Sequence, residues 1–233
     1  MGGDPALHVV TDRLESRLPL RAALAAAVRG GVDGIQVREK GHPADVVLEA
    51  TSEALAAAGG RAAVLVNDRA DVALIARAGG VHLPARSLPP AGVRALLPRT
   101  EGWLLGVSVH SLPEARAAVA AGADYVTFGH IFPTGSKPGL ASRGLAALAE
   151  VVASVDAPVL AIGGIEPGNV GAVLQTGCAG IAVIRAILGA PDPEAAAAAL
   201  RAAMARTRAR PRYVLVCGRG EGLRCPGLGQ ACG

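Results

Sequence analysis

Between Asp124 and Gly144 the chain reads DYVTFGHIFPTGSKPGLASRG. The first part, with two β-branched residues and two aromatics, has the character of a buried strand. It ends at Gly129, and the next segment carries an imidazole (His130), the hydroxyls of Thr134 and Ser136, the ammonium of Lys137 and the guanidinium of Arg143. A strand that opens into such a loop is where α/β folds place their chemistry. An imidazole titrates near neutrality and can give or take a proton, so His130 is the candidate acid/base. The alternative is a satisfied polar residue.

Other polar groups follow apolar runs in the same way. In QVREK (36–40) strand alternation turns Gln36, Arg38 and Lys40 to one side. Two cations there suit a phosphate or carboxylate; a solvated rim cluster is the competing reading, stronger for Lys40 than for Arg38. Asn67-Asp68 closes a third run, and Ser108-Val-His110-Ser111 closes a fifth. His82 lies inside an apolar run and reads as a core histidine, His110 opens a loop, and His8 and His42 carry no site signal. Gly163-Gly164, shortly before Glu166-Pro167, would let an anion approach free backbone N–H groups. Ile184-Arg185 follows the last run, the partner position for a barrel phosphate site.

The elements that must hold these groups repeat. An Ala-rich helical stretch ends at Gly, a short apolar strand follows, and polar residues close the unit. Strands are expected over Leu7–Thr11, Gly34–Arg38, Ala63–Asn67, Gly80–Leu83, Leu104–Ser108, Tyr125–Gly129, Val159–Ile162 and Gly180–Ile184. Helices are expected near Leu20–Arg29, Ala44–Ala58, Ala70–Ala78, Ala91–Leu97, Leu112–Ala121, Leu145–Ala153, Pro167–Gln175 and Glu194–Ala205. The junctions after Gly30, Ala78, Ala121 and Thr176 each fit a helix ended by a left-handed Gly. Strands alternating with helices imply a parallel sheet, and eight units closing on themselves make a (β/α)8 barrel. An open doubly wound sheet competes, but no Gly-x-Gly-x-x-Gly follows the first strand. The barrel is expected over residues 1–206, with 207–233 a poorly ordered extension.

Composition narrows the function. At 233 residues, 51% hydrophobic and 2% aromatic, the chain can bury a large core built from Ala, Val, Leu and Ile. The net charge of +4 is Arg-based and not interleaved with aromatics, so nucleic-acid binding is not expected. No apolar stretch reaches membrane-spanning length and no signal-peptide layout opens the chain, so a cytoplasmic location is expected. The four cysteines match neither a zinc pattern nor a disulfide framework.

Taken in order, VTD (10–12), QVREK (36–40), VNDR (66–69), GVHLP (80–84), GVSVHS (106–111), GADYVTFGHIFPTGSKPG (122–139), AIGGI (161–165) and GIAVIRAI (180–187) resemble the thiamine phosphate synthase/TenI superfamily over residues 7–206. The resemblance implies a small-molecule thiazole phosphate carboxylate as ligand and one of two activities. Thiamine phosphate synthase joins a pyrimidine pyrophosphate to the thiazole phosphate carboxylate and needs Mg2+. TenI-type thiazole tautomerase aromatises that thiazole without metal. Where the synthase has Gly-Gln-Glu-Asp after the fourth strand, its Asp a metal ligand, this chain has Pro84-Ala85-Arg86-Ser87; where the synthase has Phe-Gly-Pro, it has Phe128-Gly129-His130. The Lys137-Pro-Gly and Ser142-Arg143-Gly144 pieces are close to a tautomerase loop. These departures favour the tautomerase, an isomerase without cofactor in which His130 shuttles the proton. Gly164, Ile184 and Arg185 would cradle the phosphate through backbone N–H groups, although the family has Ser where Arg185 stands. Thr134, Ser136 and Lys137 would meet the ring carboxylate or cover the site, and Ser108 would bind substrate. The synthase is the alternative, and Gln36, Arg38, Lys40, Asn67 and Asp68 match its pyrophosphate and metal positions. A non-catalytic, regulatory precursor-binding protein is the third reading. Self-association is left open.

Overall fold

The computed structural model describes residues 4–135, 139–207, 210–213 and 215. The strands are β1 (Ala6–Val10), β2 (Gly34–Val37), β3 (Ala63–Asn67), β4 (Gly80–Leu83), β5 (Leu104–Val109), β6 (Tyr125–Gly129), β7 (Val159–Ile162) and β8 (Gly180–Val183). They are parallel and close into a barrel in sequence order, β8 pairing with β1 through Leu7 opposite Ile181. Between and after them lie α1 (Leu20–Arg29), α2 (Ala44–Ala58), α3 (Ala70–Ala76), α4 (Pro90–Leu96), α5 (Leu112–Ala120), α6 (Gly144–Ser154), α7 (Val170–Leu174), α8 (Arg185–Leu188) and α9 (Pro193–Arg206). The expected (β/α)8 barrel is therefore present.

Alternation along each strand builds two cores. Outward residues such as Val9, Ile35, Val66, Val81, Val107, Phe128 and Ile181 pack under the helices. Inward, Ala6, Leu65, Tyr125, Leu160 and Ala179 plug the N-terminal end, where Leu215 joins them from beyond α9. The same stretch is tied down by Arg212, whose backbone N–H donates to Gly177 O at 2.9 Å and whose Nη1 donates to Val152 O at 2.7 Å. The rest of the expected extension lies outside the described residues, apart from Thr207, Arg210, Pro211 and Tyr213.

Most boundaries fall where the pattern puts them, with three informative exceptions. α7 starts at Val170 rather than Pro167, because Asn169 first ties the turn by donating from Nδ2 to Gly164 O and accepting from Glu166 N–H. α8 is a single turn that apolar periodicity cannot register. At the α3 exit the left-handed residue is Arg77 (φ 55°), not a glycine; Gly31, Gly122 and Gly177 take positive φ after α1, α5 and α7.

Candidate active site

A cavity of about 640 Å³ opens at the C-terminal ends of the strands, the end at which this fold presents its loops. Of the residues singled out from sequence, it brings together Gln36, Arg38, Asn67, Ser108, His130, Thr134, Gly164, Ile184 and Arg185. Ser136 and Lys137 lie outside the described residues. Lys40 does not line the cavity and is exposed. The alternation argument fails for it because β2 stops at Val37. There Thr11 donates its hydroxyl to Glu39 Oε1 at 2.7 Å and accepts the Arg38 N–H at 2.8 Å, so the chain bends with Glu39 buried.

The cavity is graded in polarity. Its floor carries Gln36, His82, Ser108 and Thr127, none charged. Among the described residues its mouth carries two guanidinium groups, both already facing carboxylates. Arg38 Nη1 lies 3.6 Å from Asp12 Oδ2. Arg185 donates from Nε and Nη2 to the two oxygens of Glu15, at 2.9 and 2.6 Å. That hydrogen bonding holds the Glu15 carboxyl below its ordinary range and raises the guanidinium. Both partners are solvent-accessible, so the pair adds little to stability; its weight is on the charge of the mouth.

Asp68 follows β3 in a left-handed conformation (φ 68°), which Asp tolerates better than most residues. Its N–H donates to His82 O at 2.9 Å, and its carboxylate accepts the Ser87 hydroxyl. It sits beside the cavity rather than on its wall, next to Asn67, Pro84 and Ala85, which do line it. Gly163 (φ 101°) and Gly164 (φ 66°) serve packing as much as ligand access: a Cβ on Gly163 would strike the His130 Cβ, and one on Gly164 would strike Phe132 and the Pro133 carbonyl.

Sequence reasoning passed over several lining residues. His82, set aside as a core histidine, is indeed buried, yet its Nε2 lies 2.8 Å from Ser108 Oγ at the cavity floor. Thr127 looked like an ordinary strand residue, and Asp12 and Glu15 lie in an irregular loop without periodicity. Burial drives the His82 pKa down to about 3 and lowers that of His8. Above pH 6.5 both rings are neutral in folded and unfolded chains. Below it the unfolded chain takes up protons that the folded one refuses, so stability present above pH 6.5 is lost as pH falls toward 3. The melting temperature is expected to drop steeply between about pH 6.5 and pH 4. A flat profile by calorimetry over that range would contradict the buried neutral pair.

The chain and its fold have close matches among known proteins. The model of a family described as thiamine monophosphate synthase matches residues 7–187. The chain belongs to the thiamine monophosphate synthase family. It is 54% identical over 189 residues to the thiamine-phosphate synthase of Anaeromyxobacter dehalogenans, covering 81% of this chain and 84% of that one. It is 44% identical over 220 residues to that of Methanoculleus marisnigri, covering 91% and 100%. A solved structure of the family, thiamine phosphate pyrophosphorylase from Pyrococcus furiosus, superposes with a TM-score of 0.79 at 37% identity, covering 87% and 96%.

These matches overturn the expectation of a thiazole tautomerase and of an isomerase, because the relatives are named as synthases, which are transferases. The two departures that suggested the tautomerase have other physical readings. His130 is buried with Nε2 3.2 Å from Leu140 O, so that nitrogen carries the proton and the ring anchors the loop after β6. Ser87 does not dismantle the β3–β4 edge, since its hydroxyl remains bonded to Asp68.

Proposed function

We propose that the protein is a thiamine phosphate synthase, a transferase that joins a pyrimidine diphosphate to a thiazole phosphate and releases pyrophosphate. The observation that carries this reading is the 54% identity, over most of both chains, with a protein named for that activity. The polarity of the cavity supports it. A pyrimidine ring is neutral and flat and suits the uncharged floor at Gln36, Ser108 and Thr127, while anionic tails suit the mouth at Arg38 and Arg185. A volume of about 640 Å³ accommodates two small ligands side by side.

In the reaction the carbon–oxygen bond between the pyrimidine methylene and the diphosphate breaks, and the thiazole nitrogen supplies the electron pair for the new carbon–nitrogen bond. Holding the two rings in line turns an encounter between molecules into a local step. The chain's task is to orient the rings, exclude water between them and neutralise the departing diphosphate. Arg38, at the mouth of the cavity, would serve the last task. Gly164, Ile184, Arg185 and Thr134 would hold the thiazole phosphate on the opposite side, and Asn67 with Gln36 would meet the pyrimidine half.

Among the described residues the two guanidinium groups of the mouth, Arg38 and Arg185, already face Asp12 and Glu15 and so leave little net positive charge there. A diphosphate therefore calls for a further cation. Mg2+ commonly binds through one or two carboxylates together with substrate phosphates and water, and Asp68, with the Ser87 hydroxyl beside it, fits that donor set. When bound there, Mg2+ would lower the charge of the leaving diphosphate.

The reading is tested by incubating the purified protein with both phosphorylated halves and Mg2+ and following thiamine phosphate and pyrophosphate by chromatography. Stoichiometric appearance of both is expected; neither appearing would sink it. His130→Ala is expected to retain synthesis within about tenfold of the unaltered protein, because one hydrogen bond to Leu140 O is lost and the coupling needs no proton through the ring. A complete loss in a folded variant would put His130 in the reaction itself.

A further inference from the structure

Beneath the cavity lies a chain of buried hydrogen bonds whose inner members, Tyr125, His82 and His8, have no part in the reaction above. The Tyr125 phenol oxygen is 2.9 Å from His82 Nδ1, and His82 Nε2 is 2.8 Å from Ser108 Oγ. The Gln36 amide nitrogen is 3.5 Å from the same phenol oxygen and 3.5 Å from His8 Nδ1. Strands β1, β2, β4, β5 and β6 therefore meet in one polar path that ends at Ser108, a cavity-lining residue. The space is set aside in the sequence: a Cβ on Gly106 would overlap the Tyr125 phenol and the His82 ring. Ser108 is in register with Thr127, whose hydroxyl is buried without a partner among the described residues. A buried hydroxyl without a partner is unusual in a folded protein, and on a cavity wall it points to a polar ligand.

The direction of the path follows from its chemistry. The buried His82 ring is neutral, so only one of its nitrogens bears hydrogen. The Gln36 amide N–H donates to the phenol oxygen, leaving the phenol proton for His82 Nδ1. His82 Nε2 then carries the ring proton and donates to Ser108 Oγ. The Ser108 O–H is thereby turned away from the imidazole and toward the cavity. In the other tautomer Ser108 would donate to Nε2 and offer the cavity only lone pairs.

We propose that Tyr125 is a positioning residue that acts through His82 to fix Ser108 as a hydrogen-bond donor into the cavity, facing an acceptor nitrogen of the pyrimidine ring. The assignment rests on the synthase reading for its ligand, not for its geometry. A donor at an uncharged floor selects a ring that presents a nitrogen lone pair, and it disfavours charged groups, since no counter-ion lies at that floor among the described residues.

Two measurements test it separately. Long-range nitrogen–proton NMR correlations on the unliganded protein are expected to show His82 as the Nε2–H tautomer, and Tyr125→Phe is expected to shift it toward Nδ1–H. An Nδ1–H ring in the unaltered protein overturns the proposal whatever the activity. In steady-state kinetics Tyr125→Phe and Ser108→Ala are each expected to raise KM for the pyrimidine diphosphate about three- to tenfold, the range for one neutral hydrogen bond, with KM for the thiazole phosphate unchanged. The double variant is expected to be no worse than Ser108→Ala alone, because both changes break one path. Fold-losses that multiply would show independent structural effects and overturn it. Failure of the unaltered protein to make thiamine phosphate would remove the synthase reading, and the tautomer would then decide the positioning claim alone.

Discussion

Asp68→Asn is expected to lower thiamine phosphate synthesis at least about a hundredfold at a Mg2+ concentration that saturates the unaltered protein. The exchange keeps the left-handed backbone, which Asn also tolerates, and an acceptor for the Ser87 hydroxyl. It removes only charge. In a site with a single carboxylate that charge is most of what a hard cation recognises, so the apparent Mg2+ requirement should rise along with the loss. Ser87→Asp is the complementary change: its carboxylate would stand against that of Asp68, repelling it without an ion and sharing one with it. The expected result is a lower Mg2+ concentration at half-maximal rate and a lower melting temperature in a chelator. Initial rates against Mg2+ for both variants check this. An Asp68→Asn protein with unchanged Mg2+ dependence would place the ion elsewhere.

The barrel was legible because its units repeat. An Ala-rich helix, a turn and a short apolar strand recur often enough that single errors do not alter the count, and β3, β4, β6 and β7 begin and end where alternation puts them. The cavity wall was legible for the same reason: residues at or just past the C-terminal end of a strand in a closed barrel gather at its mouth, as Arg38, Ser108 and Ile184 do. Lys40 escaped because alternation was carried past the end of a strand. The Tyr125–His82–Ser108 path escaped because an aromatic and a histidine within apolar runs look like core, and only the cross-strand register shows what they touch. The choice of activity failed for a different reason. Ser87 reads in the sequence as a lost metal carboxylate and His130 as a gained proton shuttle, yet both side chains are absorbed by their neighbours, Asp68 and the Leu140 carbonyl.

Asp124, the first residue of the stretch that draws attention in the sequence, carries no signal of its own there, yet its removal is expected to destabilise the fold by about 3–5 kcal/mol. Its side chain is buried, accepts the Leu105 N–H at 2.7 Å and is ion-paired with both Arg94 and Arg99. Arg94 is largely covered and also donates to the carbonyls of Leu97, Gly122 and Trp103. It therefore cannot swing out to water without breaking the turn into β6. Asp124→Ala leaves that guanidinium without a counter-charge and the Leu105 amide without an acceptor, which costs more than the pair itself contributes. The melting temperature is expected to fall by about 10 °C. Asp124→Asn, which retains the acceptor for Leu105, should fall less. Because Asp124 lies at the end of β6 remote from His130, turnover measured well below the transition should change little in either variant. A loss of turnover without a loss of stability would mean that the base of β6 governs the cavity directly, through the seating of Tyr125 beside it.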